Sequence, residues 1–293
     1  MRLQSTLYLL ALSFALGATS NALADGPTFT TIDFPGAAST QPWGINTRGD
    51  VVGFYTLADT SSHGFLLSGN NFTPIDFPGV ALTLLWGINT NGDIVGEYAS
   101  TLTDTHHGFL LSKDGNFMPL EFPGATYTGP AGITPHGDIT GAYTLPDKST
   151  HGFLLSGGSY TAIDFPGATS TQPNGIARSG DIVANYTSAG VTHGLLLSDG
   201  DSTTFDFPGA VFTGAYGVNQ RGDIAGRYRD TAGVTHGFLL SGGQFSSFDF
   251  PNATFTAGNA INQGGDIVGR YTIDGVTHGY LLVGFRPACV AGN

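Results

Sequence analysis

Phe29–Ala37 reads FTTIDFPGA. β-Branched and aromatic residues running into Pro-Gly describe a strand that ends in a turn. The same phrase returns five times further along, each time closing a longer unit. Its acidic residue falls at Asp33, Asp76, Glu121, Asp164, Asp206 and Asp249, in steps of 42 to 45 residues. A Gly-Asp pair keeps the same steps and places Asp50, Asp93, Asp138, Asp181, Asp223 and Asp266. A His-Gly pair follows at His63, His107, His151, His193, His236 and His278. Three markers in fixed order, six times each, establish an internal repeat.

Each repeat holds four strand-like segments, in the second unit WGINT, DIVGEY, HGFLLS and NFMPLEF. Glycines such as Gly92 and the pairs Gly69-Asn70, Gly157-Gly158, Asp199-Gly200 and Gly242-Gly243 supply tight hairpin turns between them. Past the N-terminal leader no segment has helical periodicity. Four strands in about 43 residues, without helices, predict an all-β fold, a six-bladed β-propeller of four-stranded repeats. A β-solenoid is the other repeat architecture, but its turns are shorter and its coils do not alternate hairpins.

The opening phrase then finds its place. With blades cut as strands a (GIN), b (GDIVGxY), c (HGFLLS) and d (FTxIDFP), the last repeat stops after strand c at HGYLLV, His278–Val283. Phe29–Phe34 is its missing strand d, held at the front of the chain. Their pairing would close the ring and leave neither end as an unpaired edge. Counting outward from each c–d turn pairs His63 with Asp76, His107 with Glu121, His151 with Asp164, His193 with Asp206, His236 with Asp249 and His278 with Asp33. Pairs that recur once per blade are expected to build the blade rather than a catalytic site.

The phrase GINxxGDIVGxY followed by HGFLLSxG resembles the HAF-type extracellular repeats of bacteria. The resemblance spans all six units, Phe29 to Val283. The chain departs from it in having His-Gly-Phe for His-Ala-Phe, with His-Gly-Leu at His193 and His-Gly-Tyr at His278, and DFPGA where that family often has a Gly-Gly turn. The resemblance implies an exported repeat protein and brings no catalytic residues with it.

Residues 1–24 read as a signal peptide: a basic start at Arg2, an apolar run from Leu7 to Ala18, and the small-x-small site Ala22-Leu23-Ala24. Residues 25–287 are then the repeat domain and 288–293 a C-terminal tail, in a protein exported to the periplasm or beyond the cell. Cys289 is the single cysteine, so no intramolecular disulfide forms. With 22 Asp+Glu against 10 Lys+Arg, a net charge of -12 argues against nucleic acid and anionic membrane surfaces. No later segment is long and apolar enough for a membrane-spanning helix.

No Gly-x-Ser-x-Gly elbow, phosphate loop or paired-cysteine zinc signature occurs, and the N-x-x-G-D turns lack the ligand spacing of a calcium loop. No cofactor and no metal are expected. His106 and His107 are neighbours pointing to opposite faces, which argues against a joint metal site, and His136 stands apart. The Arg-Gly-Asp tripeptides at Arg48–Asp50 and Arg221–Asp223 follow from the repeat's turn rather than from adhesion.

Function is expected where the repeats differ. Between the glycine of DFPG and that of GIN, Thr40, Thr83, Thr128, Thr171, Thr213 and Thr256 never change. Two columns vary: Trp43, Trp86, Ala131, Asn174, Tyr216 and Asn259; and Ser39, Leu82, Tyr127, Ser170, Phe212 and Phe255. As d–a loops they would gather around the mouth of the central channel. Trp43, Trp86, Tyr216, Asn174, Asn259, Gln41 and Gln172 are the predicted ligand-binding residues, suited to stacking and orienting a glycan or a peptide. The alternative for the aromatic residues is to plug the channel. The expectation is a non-enzymatic binding module for a glycan or extracellular protein. Its alternatives are a hydrolase or lyase at the channel mouth and a structural cell-surface component. The two varying columns hold no acid or histidine, which counts against the enzyme.

Overall fold

The computed structural model describes residues 26–101 and 105–286; the leader and the tail with Cys289 lie outside them. The described chain is all-β, with 24 strands and no helix. They form six antiparallel four-stranded units. Unit 1 is β2 (Ser39–Ile45), β3 (Val51–Thr56), β4 (Ser62–Ser68) and β5 (Asn71–Ile75), and unit 2 is β6 (Leu82–Ile88), β7 (Ile94–Ala99), β8 (His107–Leu111) and β9 (Phe117–Leu120). Unit 3 is β10 (Tyr127–Ile133), β11 (Ile139–Thr144), β12 (Thr150–Ser156) and β13 (Ser159–Ile163). Unit 4 is β14 (Ser170–Ile176), β15 (Ile182–Ser188), β16 (Val191–Ser198) and β17 (Asp201–Phe205). Unit 5 is β18 (Phe212–Val218), β19 (Ile224–Arg229), β20 (Thr235–Ser241) and β21 (Gln244–Phe248).

Unit 6 has β22 (Phe255–Ile261), β23 (Ile267–Ile273) and β24 (Val276–Val283), and takes its fourth strand from the opposite end of the chain. β1 (Thr28–Ile32) runs antiparallel to β24, Phe29 opposite Leu282 and Ile32 opposite Gly279. His278 Nδ1 lies 3.0 Å from Asp33 Oδ2. Single parallel bridges, such as Ser62 to Leu82, join units in twos, giving three eight-stranded sheets, none of which closes on itself. The first strand of each unit contacts that of the next, and β22 contacts β2. Asn259 Nδ2 donates to Pro42 O at 2.7 Å across that last junction.

The apolar core lies in the seams between units. One cluster sets Ile32, Ile45, Val51 and Phe65 against Val268 of unit 6, and another sets Val52 of unit 1 against Leu85, Ile94 and Phe109 of unit 2. The DFPG phrase fastens these seams. Its phenylalanine stacks on the strand-b tyrosine of the following unit, Phe34 on Tyr55 at 3.7 Å and Phe250 on Tyr271 at 3.5 Å between centroids. The unchanging threonine also has its reason here. Thr40 Oγ1 accepts the Phe34 N–H at 2.9 Å, and Thr256 does the same for Phe250 at 3.0 Å, so the hydroxyl locks the turn that enters each unit.

One element differs from the expected layout. The sequence pattern predicts d–a loops for the varying columns, but β2 already begins at Ser39 and each counterpart begins at the same place in its unit. The threonine lock sets the chain into sheet pairing earlier than the turn residues suggest.

Candidate functional site

Strand a of every unit carries a β-bulge. In unit 1 the register passes from Pro42 opposite Gly53 to Gly44 opposite Val52, leaving Trp43 unpaired. The residues skipped in the other units are Trp86, Ala131, Asn174, Tyr216 and Asn259. This is the first varying column. A bulge turns one side chain away from the pleat, and all six line a single cavity of about 490 Å³. Two residues on, Ile45, Ile88, Ile133, Ile176, Val218 and Ile261 line both this cavity and a smaller one of about 200 Å³. Together they form an apolar waist between the two.

The wall is asymmetric. Trp43 and Trp86 meet edge to face at 4.7 Å, and Tyr216 stands 6.1 Å from Trp43. The indole N–H of both tryptophans is buried without a hydrogen-bond partner. Unit 3 presents Gly129, Ala131 and Ala142, whose small size lets the cavity extend outward to Thr144 and Thr150. Glu97, Tyr127 and Gln172 also line it.

The amides take different places. Asn174 Nδ2 donates to Ala215 O at 2.8 Å and Asn259 Nδ2 to Pro42 O, so both tie one unit to the next. Gln172 is exposed at the wall, and Gln41 stands outside the lining.

Comparison with known proteins adds the architecture. No family model and no curated protein matches the sequence. Solved structures do match. A mutant of AofleA from Arthrobotrys oligospora superimposes with a TM-score of 0.57 at 13% identity, covering 90% of this chain and 88% of that one. Catalytically inactive virginiamycin B lyase from Staphylococcus aureus with Quinupristin gives 0.50 at 17%, covering 87% and 88%. TolB from Acinetobacter baumannii gives 0.51 at 12%, covering 83% of this chain and 53% of that one. These are β-propeller proteins. The fold is a β-propeller.

A third varying column of the propeller escaped the sequence reading, the x of GDIVGxY: Phe54, Glu97, Ala142, Asn185, Arg227 and Arg270. It places charge at the site, where the two columns considered from sequence held none. Glu97, 5% exposed, accepts the Tyr127 hydroxyl at 2.9 Å on Oε1 and meets His106 Nδ1 at 3.0 Å on Oε2. A side chain at position 129 would collide with both Tyr127 Oη and Glu97 Oε1, which requires glycine there. Among the described residues, no group of three or more His, Cys, Asp and Glu side chains is arranged to hold a metal ion.

The hydrogen bond to Glu97 raises the His106 pKa above its usual value, against the opposing effect of burial. A raised folded-state pKa stabilises the protein below the ordinary histidine value of about 6.5. That contribution is lost as pH rises through the folded value. NMR titration should therefore show His106 protonated to higher pH than a free histidine, and Glu97→Gln should return it towards normal. Equal midpoints in both proteins would refute the pairing.

Two features of the propeller imitate sites. Ser61 Oγ lies 3.0 Å from His63 Nε2, and His63 Nδ1 lies 3.0 Å from Asp76, with Ser149, His151 and Asp164 arranged alike at 2.9 and 2.8 Å. Each serine, however, already donates its one proton to an aspartate, Asp59 at 2.7 Å or Asp147 at 2.6 Å. That aspartate competes with the histidine for the serine's proton, and neither trio lines the cavity. The remaining marker pairs follow the same pattern without the serine. His193–Asp206 and His236–Asp249 are 2.9 Å apart, and His107–Glu121, across a longer loop, 3.5 Å. In Arg48-Gly49-Asp50 the guanidinium is bound to Asp50 at 2.9 Å, and Asp50 is buried against Ser68 and Asn46. A tripeptide folded on itself in this way presents no free acid to an adhesion receptor.

Proposed function

We propose that the six units are the blades of one ring, completed where β1 joins unit 6, and that the protein binds a glycan in its central cavity. The observation that carries the reading is the convergence of six bulged residues, one per unit, on a single cavity. Its lining combines the Trp43–Trp86 pair with Gln172 and Glu97, giving flat apolar surface for sugar rings and polar groups for their hydroxyls. The succession of inner strands from β2 to β22, with Asn259 bonded back to Pro42, supports the ring.

The leader and the likeness to HAF-type repeats extend the proposal to an exported protein. A cavity of about 490 Å³ suits a few sugar residues better than the broad surface of a protein ligand. Glu97, held by Tyr127 and His106, favours the hydrolase or lyase reading. Glycoside hydrolysis commonly uses two facing carboxylates, though, and Glu97 is the only acid in the wall among the described residues.

A glycan array on the mature protein, with Trp43→Ala/Trp86→Ala beside it, tests the reading. Two lost aromatic contacts should weaken binding by about tenfold or more. Absence of binding by the wild type, or equal binding by the variant, would overturn it.

A further inference from the structure

We infer that Arg227 and Arg270 form an anion subsite behind the cavity wall, so that the glycan is an acidic one held through a carboxylate or sulfate group. The sugar part rests on the reading above; the anion part does not. In a chain with 22 acidic residues to 10 Lys+Arg, two arginines pair with acids, Arg48 with Asp50 and Arg221 with Asp223. Arg227 on β19 and Arg270 on β23 do not. They occupy the same position of successive units, both are half-buried, and neither has an ion pair among the described residues.

Aromatic faces hold them instead. Arg270 lies over Trp43 at 4.8 Å and Phe255 at 5.4 Å, and Arg227 over Tyr216 at 5.1 Å and Phe212 at 5.5 Å. Exposed Arg229 reaches the same Phe212 at 5.8 Å. A guanidinium stacked by its face keeps its N–H edges available, and those edges match planar or tetrahedral oxyanions. The polar contact made by Arg270 is a long one, 3.5 Å from Nη1 to Asn259 Oδ1. Burial, with Arg227 close by, pushes its pKa down to about 10. Two cations crowded out of water are stabilised by a shared anion. Trp43, Tyr216 and Asn259 line the cavity, so the arginines border the wall that a stacked sugar would face.

Trp43 and Trp86 are the only tryptophans, so intrinsic fluorescence reads this site. The mature protein is titrated with inorganic sulfate, an oligogalacturonate, a sulfated oligosaccharide and a neutral oligosaccharide of equal length. Acidic oligosaccharides should bind about tenfold tighter than the neutral one, the scale of a charge-assisted hydrogen bond. Added salt should shrink the preference, and Arg227→Gln or Arg270→Gln should abolish it. Thermal unfolding of each variant checks its fold, and Arg227→Gln alone suffices if Arg270→Gln does not fold. Equal affinity for acidic and neutral sugars, a preference that survives both substitutions, or no response to any anion overturns the subsite. A response to sulfate without any sugar binding keeps the subsite and removes the glycan reading; neutral binding alone does the reverse. The uronate and sulfate arms tell which acid is recognised.

Discussion

A chain that begins at Asp33, lacking Thr28–Ile32, should lose most of its stability and its solubility as a single species. β1 is the partner of the outer edge of β24 over five residue pairs. Phe29 packs edge-on against Phe250 at 5.2 Å and Tyr280 at 5.3 Å, and Ile32 is buried in the seam with Val268 and Phe65. Removing one partly buried phenylalanine and one buried isoleucine forfeits about 4 kcal/mol, close to the whole stability of a marginal domain. The apolar edge of β24, exposed from His278 to Val283, would then pair with other chains. Urea denaturation and sedimentation should show a lowered midpoint and larger species. A synthetic peptide spanning residues 27–38, in excess, should restore both by mass action. An unchanged midpoint in the truncated chain would mean that β1 is an ornament on a sheet that holds without it.

That strand was legible because the repeat has phase. The fragment ends the phrase that unit 6 leaves unfinished, and neither its pairing with β24 nor the contact of Asp33 with His278 needs any knowledge of packing. The bulges were not legible, because nothing in Gln41-Pro42-Trp43-Gly44 announces a skipped register. Variation pointed to Trp43 and Trp86 all the same, since residues released from sheet pairing are free to differ. Glu97, Arg227 and Arg270 were hidden for the opposite reason. They sit inside strand b, where variation between repeats reads as ordinary solvent exposure, and only the fold brings Tyr127 and His106 to Glu97 or Trp43 to Arg270. His106 precedes β8 and pairs with Glu97 on β7, while His107 pairs with Glu121, and the Glu97 partner could not be counted from a turn.

Gly96→Ala should destabilise the protein, and Phe109→Leu should offset part of the loss. On strand b a glycine stands directly across from an aromatic residue of strand c: Gly53 from Phe65, Gly96 from Phe109, Gly141 from Phe153, Gly226 from Phe238 and Gly269 from Tyr280. A Cβ at position 96 would fall into the carbonyl oxygen of Leu84 and within 2.8 Å of the Phe109 ring. Overpacking of this kind costs about 1–3 kcal/mol, although replacing a strand glycine otherwise stabilises slightly. Unit 4 shows how the chain itself resolves the conflict. There alanine replaces the glycine and leucine the aromatic, Ala184 opposite Leu195, both fully buried. Gly96→Ala/Phe109→Leu copies that pair into unit 2. The double variant should be more stable than the sum of the single losses predicts, with a coupling of about 1 kcal/mol or more. The Leu84 carbonyl must still move, so a residual cost stays. Because Glu97 is the next residue and lines the cavity, ligand affinity should fall in Gly96→Ala and recover in the double variant. Strict additivity in a denaturation cycle would show that the paired exchange in unit 4 is coincidental and that the backbone carbonyl alone selects glycine.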